Sequence, residues 1–418
     1  MLDFDSLLND TVSMNPADSR LILPDPPPAL KEHSALLVAR LGELADDSGI
    51  LSFAEYMEAV LYEPGLGYYS AGLHKLGESG DFITAPELGT LFAGALARQV
   101  AQVGQALSEE GAQPAHGHWG LLEIGAGTGK LAADLLLALD AAGEPVPEHY
   151  RILERSADLR AVQARTLQQR APALAHRVSW IEQPPRDPWR GVLIANEVID
   201  ALAVERFRIS GQAVMQLCVQ VSDGGLEWTE RPAPQALAAA VQKLQKGLPG
   251  PLPEGYTSEL CMSMPPWIED ISRQLEQGLA LFIDYGYPRQ EYYRAERDAG
   301  TLVCQYRHRA HFDPLVYPGL QDISAFVDFT ALAEAADAAG LEVSGYSTQG
   351  LFLIGCGLES LARDLPDLPP VQRQALAHEM RELTLPGAMG EKFQCMGLTR
   401  GLDLPLLGFT LRDLRGRL

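Results

Sequence analysis

Acidic and amide side chains stand where several short apolar runs give way to loops. Glu123 lies just before the glycine-rich turn Gly125-Ala126-Gly127-Thr128-Gly129. Glu154 closes the run YRILE, Asn196 and Glu197 close GVLIANE with Asp200 shortly after, and Asp284 with Tyr285 closes LALFIDY. Ligands of doubly wound sheets bind outside the carboxyl ends of the strands, and polar groups ending a buried run need partners. Asn196 and Glu197 are therefore expected to face a ligand. Glu154, 31 residues beyond Glu123, is placed to accept hydrogen bonds from both hydroxyls of a ribose; the plainer alternative is an acid at the N-terminus of the helix that follows.

Glycines at positive φ let a ligand approach the backbone closely. A phosphate loop would need Gly-Lys-Ser/Thr at its end, whereas Lys130 is followed by Leu131 and the glycine spacing differs. A dinucleotide fingerprint would read G-x-G-x-x-G, whereas this turn reads G-x-G-x-G behind an acid. A carboxylate at that point repels phosphate and suits a ligand with a cationic amino-acid end. The pattern E-x-G-x-G-x-G resembles motif I of class I S-adenosylmethionine (SAM) methyltransferases. The cofactor-binding candidates are then Glu123, Gly125, Gly127, Gly129, Glu154 and Asn196, against the alternative of an ordinary tight turn between strand and helix.

Composition narrows the classes. The 418 residues are 46% hydrophobic, enough for one large core with inserted segments. A net charge of −22 and a pI near 4.8 argue against a nucleic-acid binder and favour basic partners, although solubility alone accounts for such a charge. The five cysteines are dispersed without CxxC spacing, a reduced, cytoplasmic usage with no zinc site of the usual kind. His116 and His118 read as solvated linker side chains rather than a metal pair, so no metal is expected. The N-terminus lacks the features of a transit or secretion signal, and no stretch approaches 18 apolar residues, so the expectation is a cytoplasmic chain with no membrane span.

The elements that must position these residues alternate between helical and strand periods, which predicts an α/β fold: a Rossmann-like mixed sheet with an N-terminal helical cap and inserted segments that cover the substrate. A loose arm takes residues 1–34, with its proline run extended, and the cap with its GDF loop takes 35–115. The first part of the core spans 116–204. An inserted hairpin and helix occupy 205–277, with the hairpin turning at Asp223-Gly224-Gly225. The second part of the core, 278–360, carries a mostly irregular insertion at 289–328, and a helical segment, 361–418, closes the chain. Ser52 is expected to cap the helix FAEYMEAVLY, a helix is expected from Trp267 to about Glu276, and LEVSGYS and GLFLIGC are expected as the strands that close the sheet.

Taken in order, GDFITAPELGTLFAGALA, LLEIGAGTGKLAADLL, YRILERSADLRAVQ, NEVIDALAVERF, FIDYGY, GTLVCQYRHRAHFDPLVYPGLQDISAFVDFTAL and MGEKFQ resemble successive blocks of the MidA/NDUFAF7 family of class I SAM-dependent methyltransferases. Mitochondrial members of that family methylate arginine in a respiratory complex I subunit and assist its assembly. The resemblance implies that SAM is the cofactor, that a protein arginine receives the methyl group, and that Phe82 and Thr84 cover the cofactor. Glu197 is the first candidate to clamp a guanidinium. Asp200 is a second acid or the cap of a following helix, and Asp284 with Tyr285 stands at the tip of another strand, where the ring could line the acceptor pocket. His308 is a candidate proton acceptor or a structural loop residue, and Glu259 matches a family position without a role. Val198-Ile199 and Ala203 depart from the aromatic pair and the proline common in the family. A SAM-binding assembly factor with little turnover, and a small-molecule methyltransferase, are the alternatives. Homo-oligomerisation stays open.

Overall fold

The computed structural model describes residues 23–71, 84–109, 119–363 and 368–418; Phe82, His116 and His118 lie outside these. The chain divides into two compact units. One comprises Met1–Phe82, Asp200–Met264 and Tyr287–Asp328, the other Ile83–Ile199, Pro265–Gly286 and Phe329–Leu418.

The second unit is built on a mixed sheet whose strands are β1 (Gly120–Ile124), β2 (His149–Leu153), β3 (Val178–Ile181), β4 (Trp189–Asn196), β5 (Leu275–Tyr287), β6 (Glu342–Thr348) and β7 (Phe393–Arg400). Their order across the sheet is β3-β2-β1-β4-β5-β7-β6. The first five run parallel, and β7 lies antiparallel between β5 and β6. Parallel strands covered on both faces read as continuous apolar runs, and residues 192–195 of β4 and 279–283 of β5 are almost wholly buried. Gly120, Gly191 and Gly278 stand opposite one another across β1, β4 and β5. A Cβ on Gly191 would lie 1.8 Å from the Gly120 carbonyl oxygen, and one on Gly278 would lie 1.8 Å from that of Gly191, so only glycine fits at 191 and 278.

Two features of this sheet differ from the sequence-based expectation. The run GLFLIGC, residues 350–356, expected as a strand, falls in the helix Gln349–Gly355, which buries Phe352 and Leu353, and Phe393–Arg400 is a strand of the sheet instead. Seven apolar residues carry too little periodicity to separate the two states. Gly350 and Gly355 let the helix backbone pack against neighbouring chain, since Cβ atoms there would meet Thr384 O at 2.8 Å and Gly408 O at 2.7 Å. The helix expected from Trp267 runs over Met264–Ser272, and β5 begins at Leu275.

In the first unit a helix spans Pro28–Leu44, starting inside the proline run rather than at Ala35. Pro28 takes the first helical position, where its fixed φ fits and its missing N–H is not required. Ser52 does cap the helix Phe53–Tyr62, through a full capping box with Glu55. The expected hairpin is part of a five-stranded antiparallel sheet. Ala213–Ser222 pairs with Glu205–Ser210 and Ile50–Ser52 on one edge and with Gly225–Pro232 on the other, and Thr257–Leu260 lies beyond Glu205–Ser210. Residues 289–328, expected to be mostly irregular, hold the short helix Arg289–Tyr292 and a three-stranded sheet of Arg309–His311, Val303–Tyr306 and Asp322–Ser324. Alternation too short to register in the sequence is closed there by cross-strand pairing.

Candidate active site

The turn after β1 is set by three glycines, with φ of 67° at Gly125, 51° at Gly127 and 81° at Gly129. These left-handed values are strained for any residue with a Cβ. Space is also short, because a Cβ on Gly125 would come 3.0 Å from Val198 Cγ2 and one on Gly129 would come 2.9 Å from Gln163 Cα. Glu123 is 2% exposed and accepts a 2.7 Å hydrogen bond from the Tyr150 hydroxyl. Burial pushes its carboxyl up to about 7, and the Tyr150 bond opposes that rise.

Glu154 follows β2 and accepts from Ser156 N–H at 2.9 Å and from Gln163 Nε2 at 3.1 Å. Burial raises its pKa, and these hydrogen bonds hold it back. The same Gln163 nitrogen donates to the Gly127 carbonyl at 3.1 Å, while its oxygen accepts from Trp180 Nε1 at 2.8 Å. Gln163 thus ties the glycine turn to the acid of the next strand. Sequence reasoning missed it because its partners are distant in the chain.

Thr84, a cofactor-binding candidate, precedes the helical turn Ala85–Leu88 and accepts from Glu87 N–H at 3.0 Å. This segment is clasped to the glycine turn. Thr128 Oγ1 donates to Glu87 Oε1 at 2.6 Å. Lys130, the first residue of the helix Lys130–Ala142, donates to the Pro86 carbonyl at 2.6 Å, to the Gly89 carbonyl and to Asp134 Oδ2 at 2.7 Å. All three ammonium donors are used within the protein. The lysine rejected as a phosphate-loop residue therefore grips backbone carbonyls, and the block APELG it grips was the only signal for it in the sequence.

At the ends of β4 and β5 the structure brings together Asn196, Glu197, Asp284 and Tyr285. Asn196 Nδ2 donates to Glu197 Oε1 at 3.1 Å, and Asn196 Oδ1 is buried without a hydrogen-bond partner. Glu197 has a φ of 55°, and its N–H donates to Ile283 O at 2.8 Å. Asp284, 1% exposed, accepts from the N–H groups of Val198 at 3.2 Å and Ile199 at 2.9 Å through Oδ2, and from Tyr285 N–H at 2.9 Å through Oδ1. The Tyr285 ring stands edge-on to Phe393 at 5.5 Å.

Two candidates belong to the first unit. Asp200 is 7% exposed and its carbonyl accepts from Ala325 N–H at 3.0 Å; no helix follows for it to cap, because the chain turns and enters the strand Glu205–Ser210. His308 is exposed in the two-residue turn between Val303–Tyr306 and Arg309–His311, where Arg307 and His308 have φ of 48° and 61°. Glu259, 0% exposed, has an interior role: it accepts from Arg206 Nε at 3.1 Å and from Thr301 N–H at 2.8 Å.

The left-handed glycine turn offers backbone to a ligand, Glu123 near the end of β1 and Glu154 just after β2 match a cationic tail and a ribose, and the orphaned Asn196 oxygen calls for a donor; these residues fit SAM. With β7 antiparallel inside an otherwise parallel sheet, the second unit has the fold of an α/β methyltransferase. Residues 95–347 match the family described as "Putative S-adenosyl-L-methionine-dependent methyltransferase", and the chain belongs to that family. SAM is its cofactor. A crystal structure from Burkholderia thailandensis, bound to S-adenosyl-homocysteine, is 39% identical with a TM-score of 0.85, covering 95% of this chain and 100% of that one. The mitochondrial protein arginine methyltransferase NDUFAF7 homolog of Drosophila melanogaster is 27% identical over 92% of this chain and 93% of its own length. The human mitochondrial protein arginine methyltransferase NDUFAF7 is 28% identical over 84% and 80% respectively. The family and fold class expected from the motifs are thus borne out.

Proposed function

We propose that this methyltransferase transfers the methyl group of SAM to an arginine side chain of a protein. The observation that carries the acceptor class is Glu197, a carboxylate at the tip of β4 whose oxygen is fixed by Asn196 at 3.1 Å. The names of relatives that match over most of the chain support the same reading. The cofactor supplies a methyl carbon on a cationic sulfur, and the other requirements fall on the chain. Glu123, Glu154, Asn196 and the three glycines bind and orient the nucleoside and its tail, while Thr84 stands in the segment clasped against the glycine turn. Glu197 holds the guanidinium by charge-assisted hydrogen bonds, lines its nitrogen up for in-line attack, and takes the proton that leaves as the N–C bond forms and the S–C bond breaks. Tyr285 supplies aromatic surface for the cation. Asp200 and His308 belong to the other compact unit and are not assigned a step.

The test uses methyl-labelled SAM, the purified chain and lysate from cells lacking it, with labelled residues identified by mass spectrometry. Label on arginine of a protein is expected. S-adenosyl-homocysteine binding without any labelled protein would instead make the chain a cofactor-binding assembly factor. Glu197→Gln keeps shape and loses charge; it is expected to cut transfer by about 100-fold or more while cofactor affinity stays within a few-fold.

A further inference from the structure

Glu197 sits in a backbone conformation that side chains with a Cβ adopt only under constraint, with φ at 55°. The constraint comes from two consecutive residues of β5. On the near side, the ladder between β4 and β5 ends at Asn196 opposite Ile283, and the next amide, that of Glu197, still reaches Ile283 O at 2.8 Å. On the far side, Asp284 Oδ2 accepts from the amides of Val198 and Ile199 at 3.2 and 2.9 Å. Its other oxygen is engaged by Tyr285 N–H at 2.9 Å, which stops the carboxylate rotating away. Asp284 is 1% exposed, so these charge-assisted bonds form away from bulk water, where they are strongest. The chain is therefore pinned immediately before and immediately after Glu197.

We propose that Asp284 is a positioning residue for methyl transfer: it forces Glu197 into the left-handed conformation from which Asn196 can aim its carboxylate at the acceptor. This rests on the reading of Glu197 as the acceptor clamp. The sequence offered Asp284 as an acid at a strand tip beside the acceptor pocket, whereas in the structure its oxygens accept from backbone amides. A strained residue at a reacting site persists only where its surroundings over-determine it, and Asp284 supplies that determination.

The experiment joins a stability cycle to kinetics on the full chain, using Asp284→Ala, Glu197→Gly and the double variant. Glycine removes the strain at φ 55°, so Glu197→Gly alone is expected to raise the unfolding midpoint by about 2 °C. In the Asp284→Ala background Glu197 has already relaxed, and the same substitution is expected to shift the midpoint by roughly nothing. Equal shifts in both backgrounds would overturn the proposal. In the kinetic arm, Asp284→Ala is expected to lower the labelling rate of lysate protein by about 100-fold while S-adenosyl-homocysteine affinity, read by calorimetry, stays within about threefold. An unchanged labelling rate, or a matching loss of affinity, would also overturn it. Should Asp284→Ala fail to fold, Asp284→Asn keeps one oxygen for Val198 and Ile199 and should show a partial version of both effects. If the native chain labels no protein, the acceptor reading fails, and the stability cycle still decides whether Asp284 holds Glu197.

Discussion

Glu123 shows how much a residue's neighbours add to its position in the sequence. Its place before the glycines marked it as ligand-facing, but its burial and its bond from Tyr150 arise only when β1 and β2 pair. With its pKa raised from 4.5 to about 7, the folded chain binds a proton that the unfolded chain releases at lower pH. The contribution of this one carboxyl to stability without cofactor is thus greatest below the unfolded value, falls as pH rises from about 4.5 towards 7, and is level beyond. The burden above that window is about 3 kcal/mol. A cationic ligand tail favours the ionised form, so binding must expel this proton when pH is low. Affinity for S-adenosyl-homocysteine is accordingly expected to weaken as pH drops through about 7, and Glu123→Gln should bind more weakly but with a flatter pH profile. Calorimetry between pH 6 and 8.5 would decide; a native profile as flat as that of the variant would remove Glu123 from the cation's surroundings.

Among the elements, those legible in the sequence were the ones whose signals are local. The run of strand, glycine turn and helix around Glu123 carries its own punctuation, and the Ser52 capping box is complete within four residues. The run 350–356, expected as a strand, is helical, and Phe393–Arg400, inside a segment expected to be helical, is a strand, because each is a short, buried run whose state is fixed by neighbours far along the chain: glycine contacts with Thr384 and Gly408 for the helix, ladders with β5 and β6 for the strand. The clasp between Ala85–Leu88 and the glycine turn was hidden for the same reason. Its partners lie more than forty residues apart, and Lys130 at a helix N-terminus runs against the dipole, so it is held there by acceptors rather than by local preference. Lys130→Met keeps the apolar stem and removes the grip. It is expected to raise the dissociation constant for S-adenosyl-homocysteine about 10-fold, since each charge-assisted bond contributes roughly 1.5–3 kcal/mol before compensation, while leaving turnover at saturating SAM near native. Unaltered affinity would show that the segment holds its place without the lysine.

On the scale of the whole molecule, the charge of −22 is the property the sequence stated most openly and the fold does least to change. Arg–carboxylate pairs such as Arg206–Glu259 and Arg289–Asp328 use arginines in the interior, leaving the acidic excess to the remainder of the surface. An acidic surface raises the encounter rate with basic protein segments, the class to which the arginine acceptor proposed above would belong. This contribution acts over distances that salt screens, the Debye length falling from about 20 Å near 0.02 M to about 6 Å near 0.3 M. The initial rate of methyl transfer to a protein acceptor, measured at concentrations well below saturation, is therefore expected to fall several-fold across that range. Affinity for S-adenosyl-homocysteine should change far less, because the adenosyl ligand carries no net charge and binds against buried groups such as Glu123. A transfer rate independent of salt, with the same acceptor and the same cofactor occupancy, would assign the acidic surface to solubility alone and leave acceptor choice to the groups around Glu197.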